Sequence, residues 1–147
     1  MAGVGYGSIL WRDATTDEFL QRFLVNAVGP FQTIKAFHPQ LKKSKRPIVI
    51  NISSISGSIH KVIFGKHIAY RVSKAALNMM TATLAVELAK DNITLVAISP
   101  NLLQSGTEAD LNKRPGLAVE EMIKLIDGLG AAKIARFFDR TGRKLEW

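Results

Sequence analysis

Pro47–Ser54, PIVINISS, is a short run of apolar and β-branched residues bounded by proline on one side and by serine and glycine on the other. That pattern predicts a strand buried on both faces. A second run of the same kind, ITLVAI at Ile93–Ile98, ends at Ser99-Pro100. Between them, Ile68–Lys90 sets Leu77, Met80, Thr81, Leu84 and Leu88 on one side of a long helix. Strand, helix and strand in this order predict a parallel pair with a helical crossover.

Working outward toward the N-terminus, Thr15 stands three residues before Glu18, which is capping-box spacing. Leu20, Phe23, Leu24, Ala27 and Val28 then recur at helical intervals. Asn26 lies inside this stretch, and Gly29-Pro30 directly after it predicts a kink or a junction between helices. Phe31, Ile34, Ala36 and Phe37 resume an apolar face as far as Pro39, and the lysine-rich segment 42–46 reads as a connection. The first dozen residues, MAGVGYGSILWR, are glycine-rich and read as a loop.

Toward the C-terminus, Asn101–Pro115 has no periodicity, and its length suggests a binding loop. Val119, Met122, Ile123, Ile126 and Leu129 form a helical stripe closed by Gly128 and Gly130. Ile134–Phe138 can be a third strand, and Asp139-Arg140-Thr141-Gly142 is a turn signal. The expected fold class is therefore α/β: about three parallel strands with flanking helices, the C-terminal half of a Rossmann-like doubly wound sheet.

Composition narrows the function. The chain has 147 residues, 47% hydrophobic and 22% charged, which suits one globular domain. No apolar run approaches a membrane span, and no signal-peptide pattern opens the chain. A cytoplasmic setting without membrane contact is the expectation. With no cysteine, and with His38, His60 and His67 in no ligand spacing, metal catalysis is not expected. The net charge of +8 is concentrated in Lys42, Lys43, Lys45 and Arg46 and near the C-terminus, without aromatic interleaving. It reads as solvated surface, not as a nucleic-acid interface, although cations near a cleft would favour a phosphate-bearing ligand.

The chemistry converges on the start of the long helix. Tyr70 and Lys74 are one turn apart on one helix face. A neighbouring cation favours the phenolate, so Tyr70 could exchange a proton nearer neutrality. Ligands of open parallel sheets bind beyond the carboxyl ends of the strands. Ser54 ends the first strand there, and Asn26 can enter from the preceding helix. Ser54 could bind a carbonyl oxygen, Tyr70 could pass a proton, and Lys74 could hold the phenolate.

Asn26, NISSISG with Ser54, and YRVSK at Tyr70–Lys74 resemble, in order, the Asn, Ser and YxxxK tetrad of the short-chain dehydrogenase/reductase family. Ala2-Gly3 resembles the end of that family's NNAG. Phe138-Asp139, Gly142 and Trp147 resemble the tail of its carbonyl-reductase-like members. The resemblance implies hydride transfer between NAD or NADP and an alcohol or carbonyl, on a doubly wound sheet. Tyr70 would be proton donor or acceptor, Ser54 would orient the substrate oxygen, and Asn26 would anchor a water. Lys74 would lower the Tyr70 pKa and hold the ribose. Lys35 and Leu103 match cofactor contacts by position, and Ser105 stands where the family keeps a nicotinamide-binding threonine. The family's helices around Asn26 and Tyr70 also pair with a second subunit, which implies a homo-oligomer or a heteromer with a relative.

Several positions depart from the family pattern. Met1 occupies the second Asn of NNAG, and Asn101 replaces the glycine after the proline. GVGYG at Gly3–Gly7 does not follow a strand and open a helix, as a dinucleotide fingerprint must. The chain therefore reads as a single partial domain, residues 1–147, N-terminally truncated and without the dinucleotide-binding half, with an exposed sheet edge. Two other functions fit the same residues: a cofactor-free acid–base isomerase or cyclase, and a non-catalytic chain that binds a partner.

Overall fold

The computed structural model describes residues 3–63, 65–100, 115–130 and 134–147. Its sheet has three strands in the order β1 (Ile48–Ile52), β2 (Thr94–Ser99) and β3 (Arg136–Asp139). Both pairings are parallel, with Ile50 opposite Val96 and Val96 opposite Arg136. The central strand, β2, is buried at all six residues, which is why its sequence is continuously apolar and does not alternate. The other edge of β1 meets no strand among the described residues, and four of its five residues are only half-buried.

The helices are α1 (Thr16–Phe23), α2 (Gly29–Lys43), α3 (Ile68–Leu88) and α4 (Pro115–Gly128). They cover both faces of the sheet. Leu95 packs with Ile34 of α2 and Ala85 of α3, joined by Met80, Leu84 and Leu88. Val96, Ile98 and Phe138 pack on the opposite side against Met122, Leu125 and Ile126 of α4. This is the expected α/β half-sheet with helices on two sides.

The Thr15 cap forms, its hydroxyl accepting from the Glu18 N–H at 3.2 Å. The Glu18 carboxylate also accepts from the Ser8 N–H at 3.1 Å, and hydrogen bonds from Ser8 and Thr15 help to hold it below its ordinary value. The expected junction at Asn26 is a five-residue π-helical turn, Leu24–Val28, which joins α1 to α2 without a break. Pro39 does not end α2, which continues to Lys43. The proline lies in the last turns, where the single backbone bond it removes is tolerated.

The basic segment after α2 is partly structural. Arg46 donates to the carbonyls of Ile126, Asp127 and Leu129, so it caps the C-terminus of α4. His38 and Lys42 both reach Asp91, which follows α3.

The predicted turn after β3 is built around the buried Asp139. Its carboxylate accepts from the Thr141 N–H and hydroxyl, the Arg143 N–H and the Arg143 guanidinium. Burial alone would raise this carboxyl, but those hydrogen bonds outweigh it and hold it below its ordinary value. The turn returns the chain so that the Leu145 N–H bonds to the Phe137 carbonyl at 2.8 Å and Trp147 stacks on Phe137.

A depressed carboxyl contributes stability above its unfolded pKa, about 3.9, and loses it as pH falls through the lower folded value. Asp139→Ala should cost about 1.5–3 kcal/mol at pH 7, and thermal melts of the two proteins should converge on acidification below about pH 4. Melts that differ equally at pH 7 and pH 3 would contradict this account of the turn.

Candidate active site

Ser54 lies two residues beyond β1, in extended conformation, and caps a 3-10 turn at Ile55–Gly57 by accepting from the Ser56 N–H at 3.1 Å. The segment is pinned at this height. Ser53 N–H continues the ladder to the Ile98 carbonyl, its hydroxyl donates to Asn78 of α3, and the Ile55 N–H donates to the Ser99 hydroxyl. These are buried polar groups with partners, as such groups must be.

α3 begins at Ile68 and carries Tyr70 in its first turn and Lys74 one turn later. Lys74 is 8% exposed, and its ammonium donates to the Ile52 carbonyl, the last of β1, at 2.8 Å. The same nitrogen lies 5.9 Å from the Tyr70 ring centroid. Such a deep seat requires close helix approach, and Gly57 permits it. A Cβ built on Gly57 would lie 2.6 Å from the Lys74 carbonyl carbon and 2.8 Å from the Lys74 Cβ and carbonyl oxygen.

Electrostatics differ from the sequence expectation in one respect. Burial pushes the Tyr70 phenol above its ordinary value, its hydrogen bond with Ser54 opposes this, and the neighbouring Tyr6 adds to the rise. Burial likewise depresses Lys74. The cation does not draw Tyr70 toward ionisation in this structure: desolvation dominates, opposed by the Ser54 hydrogen bond, and Tyr70 is a neutral phenol at pH 7.

Asn26 is buried in the π-helical turn. Its side chain exchanges two hydrogen bonds with the backbone of Val4, both 3.0 Å, and donates to the Ser73 hydroxyl at 3.0 Å. The Ser73 hydroxyl in turn donates to the Tyr70 carbonyl. Asn26 therefore joins the N-terminal loop to the Tyr70–Lys74 turn. Ser54, Tyr70, Lys74 and Asn26 all converge on the start of α3.

Lys35 does not join them. It is exposed on α2 and lines an apolar groove with Ile34, Leu84 and Leu88. Leu84 lies ten residues along α3 from Lys74, about 15 Å at helical rise. Leu103 and Ser105 lie outside the described residues.

The geometry adds residues that the sequence did not single out. Gly57 is visible only as part of a serine-glycine loop, and nothing local reveals that a helix presses on it. Tyr6 stands at the site through tertiary contact alone and His67 as the residue that opens α3: the Tyr6 ring is edge-on to Tyr70 at 4.8 Å and tilted over His67 at 4.7 Å.

A short chain dehydrogenase family model matches residues 1–116. The chain belongs to this family. It is 31% identical over 138 residues to C-signal of Myxococcus xanthus, covering 92% of this chain and 82% of that protein. It covers 57% to 65% of four further curated relatives. Among solved structures it superimposes along its whole length on the carbonyl reductase Sniffer of D. melanogaster, with TM-score 0.87 and 29% identity. An NADPH-bound carbonyl reductase from chicken fatty liver gives TM-score 0.86 and 28% identity over the same full span. The chain covers 64% of each of these two structures. The Rossmann-like fold and the carbonyl-reductase-like kinship are thereby established.

Because Gly57 faces the backbone of the Lys74 turn, Gly57→Ala should cost about 1–3 kcal/mol through overpacking. It should also shift the Lys74 amide and side-chain signals in NMR spectra. Unchanged stability with unchanged Lys74 signals would refute the close approach.

Proposed function

We propose that this chain carries the proton-handling machinery of an oxidoreductase that interconverts a carbonyl and an alcohol with NAD or NADP. The observation that carries this reading is the convergence of Ser54, Tyr70 and Lys74 at the carboxyl end of β1, with Asn26 behind them. Two hydroxyl groups that can share one substrate oxygen, beside a buried cation, suit chemistry at C=O or CH–OH.

In the reducing direction Ser54 binds the carbonyl oxygen and orients it. Tyr70, kept neutral by burial, gives its proton to that oxygen as negative charge develops there. Lys74 then stabilises the phenolate left behind. Its donor to Ile52 also fixes the ammonium where a ribose hydroxyl could bind. The nicotinamide, when bound, supplies or accepts the hydride.

The donor set of Tyr70 and Lys74 fits the ribose end of such a cofactor. The pyrophosphate end has no counterpart among the described residues. In the glycine-rich segment the Val4 and Ser8 N–H groups are already committed to Asn26 and Glu18. The NADPH in the chicken carbonyl reductase supports the choice of cofactor class, and the carbonyl reductases among the solved structures support the choice of reaction.

A partner is part of the reading. Val72, Met79 and Val86 repeat at seven-residue spacing on α3 and are all exposed, as are Phe23 and Leu24. Such a stripe suits helix pairing with a second copy or a relative. Sedimentation should therefore show a dimer that Met79→Glu dissociates; a monomer at all concentrations would contradict self-pairing.

The test of the reaction is turnover of carbonyl compounds with NADH or NADPH, alongside cofactor fluorescence. Tyr70→Phe should lower the rate about 10²–10⁴-fold with cofactor binding retained. No saturable cofactor signal at millimolar concentration would reject the reading for this chain. Turnover without nicotinamide that vanishes in Tyr70→Phe would instead establish the acid–base isomerase.

A further inference from the structure

The loop from Gly3 to Ile9 crosses the start of α3 as a strap, and its backbone is fastened along its length. Val4 gives both its N–H and its carbonyl to Asn26. Gly5 accepts from the buried Arg22 at 3.0 Å, and the Ser8 N–H donates to Glu18 at 3.1 Å. The Ile9 carbonyl accepts from the His67 N–H at 3.1 Å. Gly7 has φ +72°, and a Cβ there would lie 2.1 Å from the Arg22 guanidinium, so only glycine allows the strap to lie over Arg22.

His67 supplies a second unusual feature. It has φ 57°, a left-handed conformation that is strained for a non-glycine residue. Its Nδ1 is buried without a hydrogen-bond partner. The conformation aims the His67 N–H at Ile9, while the ring packs on Tyr6. At the centre of this fastened strap, Tyr6 presents its ring edge-on to Tyr70.

We propose that Tyr6 is a positioning residue for the site, its ring held by the strap and by His67 so that the Tyr70 phenol is fixed beside Ser54 and screened from water on that side. An aromatic edge-to-face pair contributes beyond its buried area, enough to favour one orientation of a phenol severalfold. Ser54 approaches Tyr70 from the segment after β1, Lys74 from one turn along α3, and Tyr6 and His67 from the strap side. Arg71 donates to the Lys66 carbonyl. Burial, the main cause of the raised Tyr70 value, is what a covering ring supplies.

The proposal rests on the reading of Tyr70 as proton donor, yet it can be tested without turnover. The chain has only two tyrosines, Tyr6 and Tyr70, so ¹³Cζ-tyrosine labelling gives two signals that Tyr70→Phe assigns. In Tyr6→Leu the Tyr70 titration should fall by about half a pH unit or more as water reaches the phenol, whereas Tyr6→Phe, which keeps the ring and loses only the smaller electrostatic contribution of the Tyr6 hydroxyl, should fall distinctly less. Acetylation of Tyr70 by N-acetylimidazole at pH 7.5, read by mass spectrometry, should be severalfold faster in Tyr6→Leu and unchanged in Tyr6→Phe. If Tyr6→Leu does not fold, His67→Ala, which removes the ring packed on Tyr6, takes its place in both measurements. An unmoved titration with an unmoved acetylation rate would overturn the proposal, as would a Tyr6→Phe protein that behaves like Tyr6→Leu. Neither result bears on whether Tyr70 donates the proton, which the turnover of Tyr70→Phe decides separately.

Discussion

The arrangement of the site depends on one contact, the Lys74 ammonium on the Ile52 carbonyl at 2.8 Å. It ties the first turns of α3 to the carboxyl end of β1, and so fixes where Tyr70 stands relative to Ser54. The contact forms because the chain after β1 carries glycine at position 57, where the backbone of Lys74 leaves no room for a Cβ. Pairings deeper in the same interface hold the helix in register: Ser53 on Asn78, Asn78 on the Gly57 carbonyl, and Asn51 on Thr81. In a low-dielectric setting each unpaired member would be costly, so the set is satisfied together in one register.

The π-helical turn at Leu24–Val28 solves a related problem. An extra residue in a helical turn disturbs the i to i−4 ladder, and such turns recur at functional sites. Here it places Asn26 where its amide serves three partners at once: the Val4 N–H, the Val4 carbonyl and Ser73. One side chain thereby couples the N-terminal loop to α3.

What could be read from the sequence follows the range of the interactions involved. β2 and α3 were legible because their burial is continuous or one-sided, and β1 because its run is apolar and β-branched, although four of its five residues are only half-buried. The Thr15 cap and the Asp139 turn were legible because their chemistry is local. The apolar face was legible only as far as Pro39, whereas α2 continues to Lys43, because a proline within the last turns of a helix is tolerated. Tyr70 and Lys74 could be paired from helical spacing, and Ser54 and Asn26 joined them through a family pattern. Gly57, Tyr6 and His67 left no comparable trace. Gly57 matters because a helix distant in sequence presses on it, and Tyr6 meets Tyr70 across 64 positions. The position of Lys35 on the α2 face toward Leu84 likewise depends on how α2 crosses α3, which spacing along one helix does not fix.

The protonation of the pair is dominated by burial. A cation beside a phenol draws it toward ionisation, but both groups here are withdrawn from water, and desolvation acts against each charge separately. The Tyr70 value therefore rises while that of Lys74 falls. The signs matter for stability. A raised phenol contributes stability that is complete below about pH 10 and lost as pH rises through its folded value; a depressed lysine imposes a cost that is full below its folded value and relieved toward about 10.4. At neutral pH the site thus bears the cost of a buried ammonium, partly offset by the Ile52 carbonyl. In the proposed reaction that cost has a use. An ammonium already stripped of water and held near the phenol needs no reorganisation when the phenolate forms, so it stabilises the charge that develops in the transition state more than the neutral ground state. Under the proposed function, that difference, and not the resting pKa of Tyr70, would accelerate proton transfer.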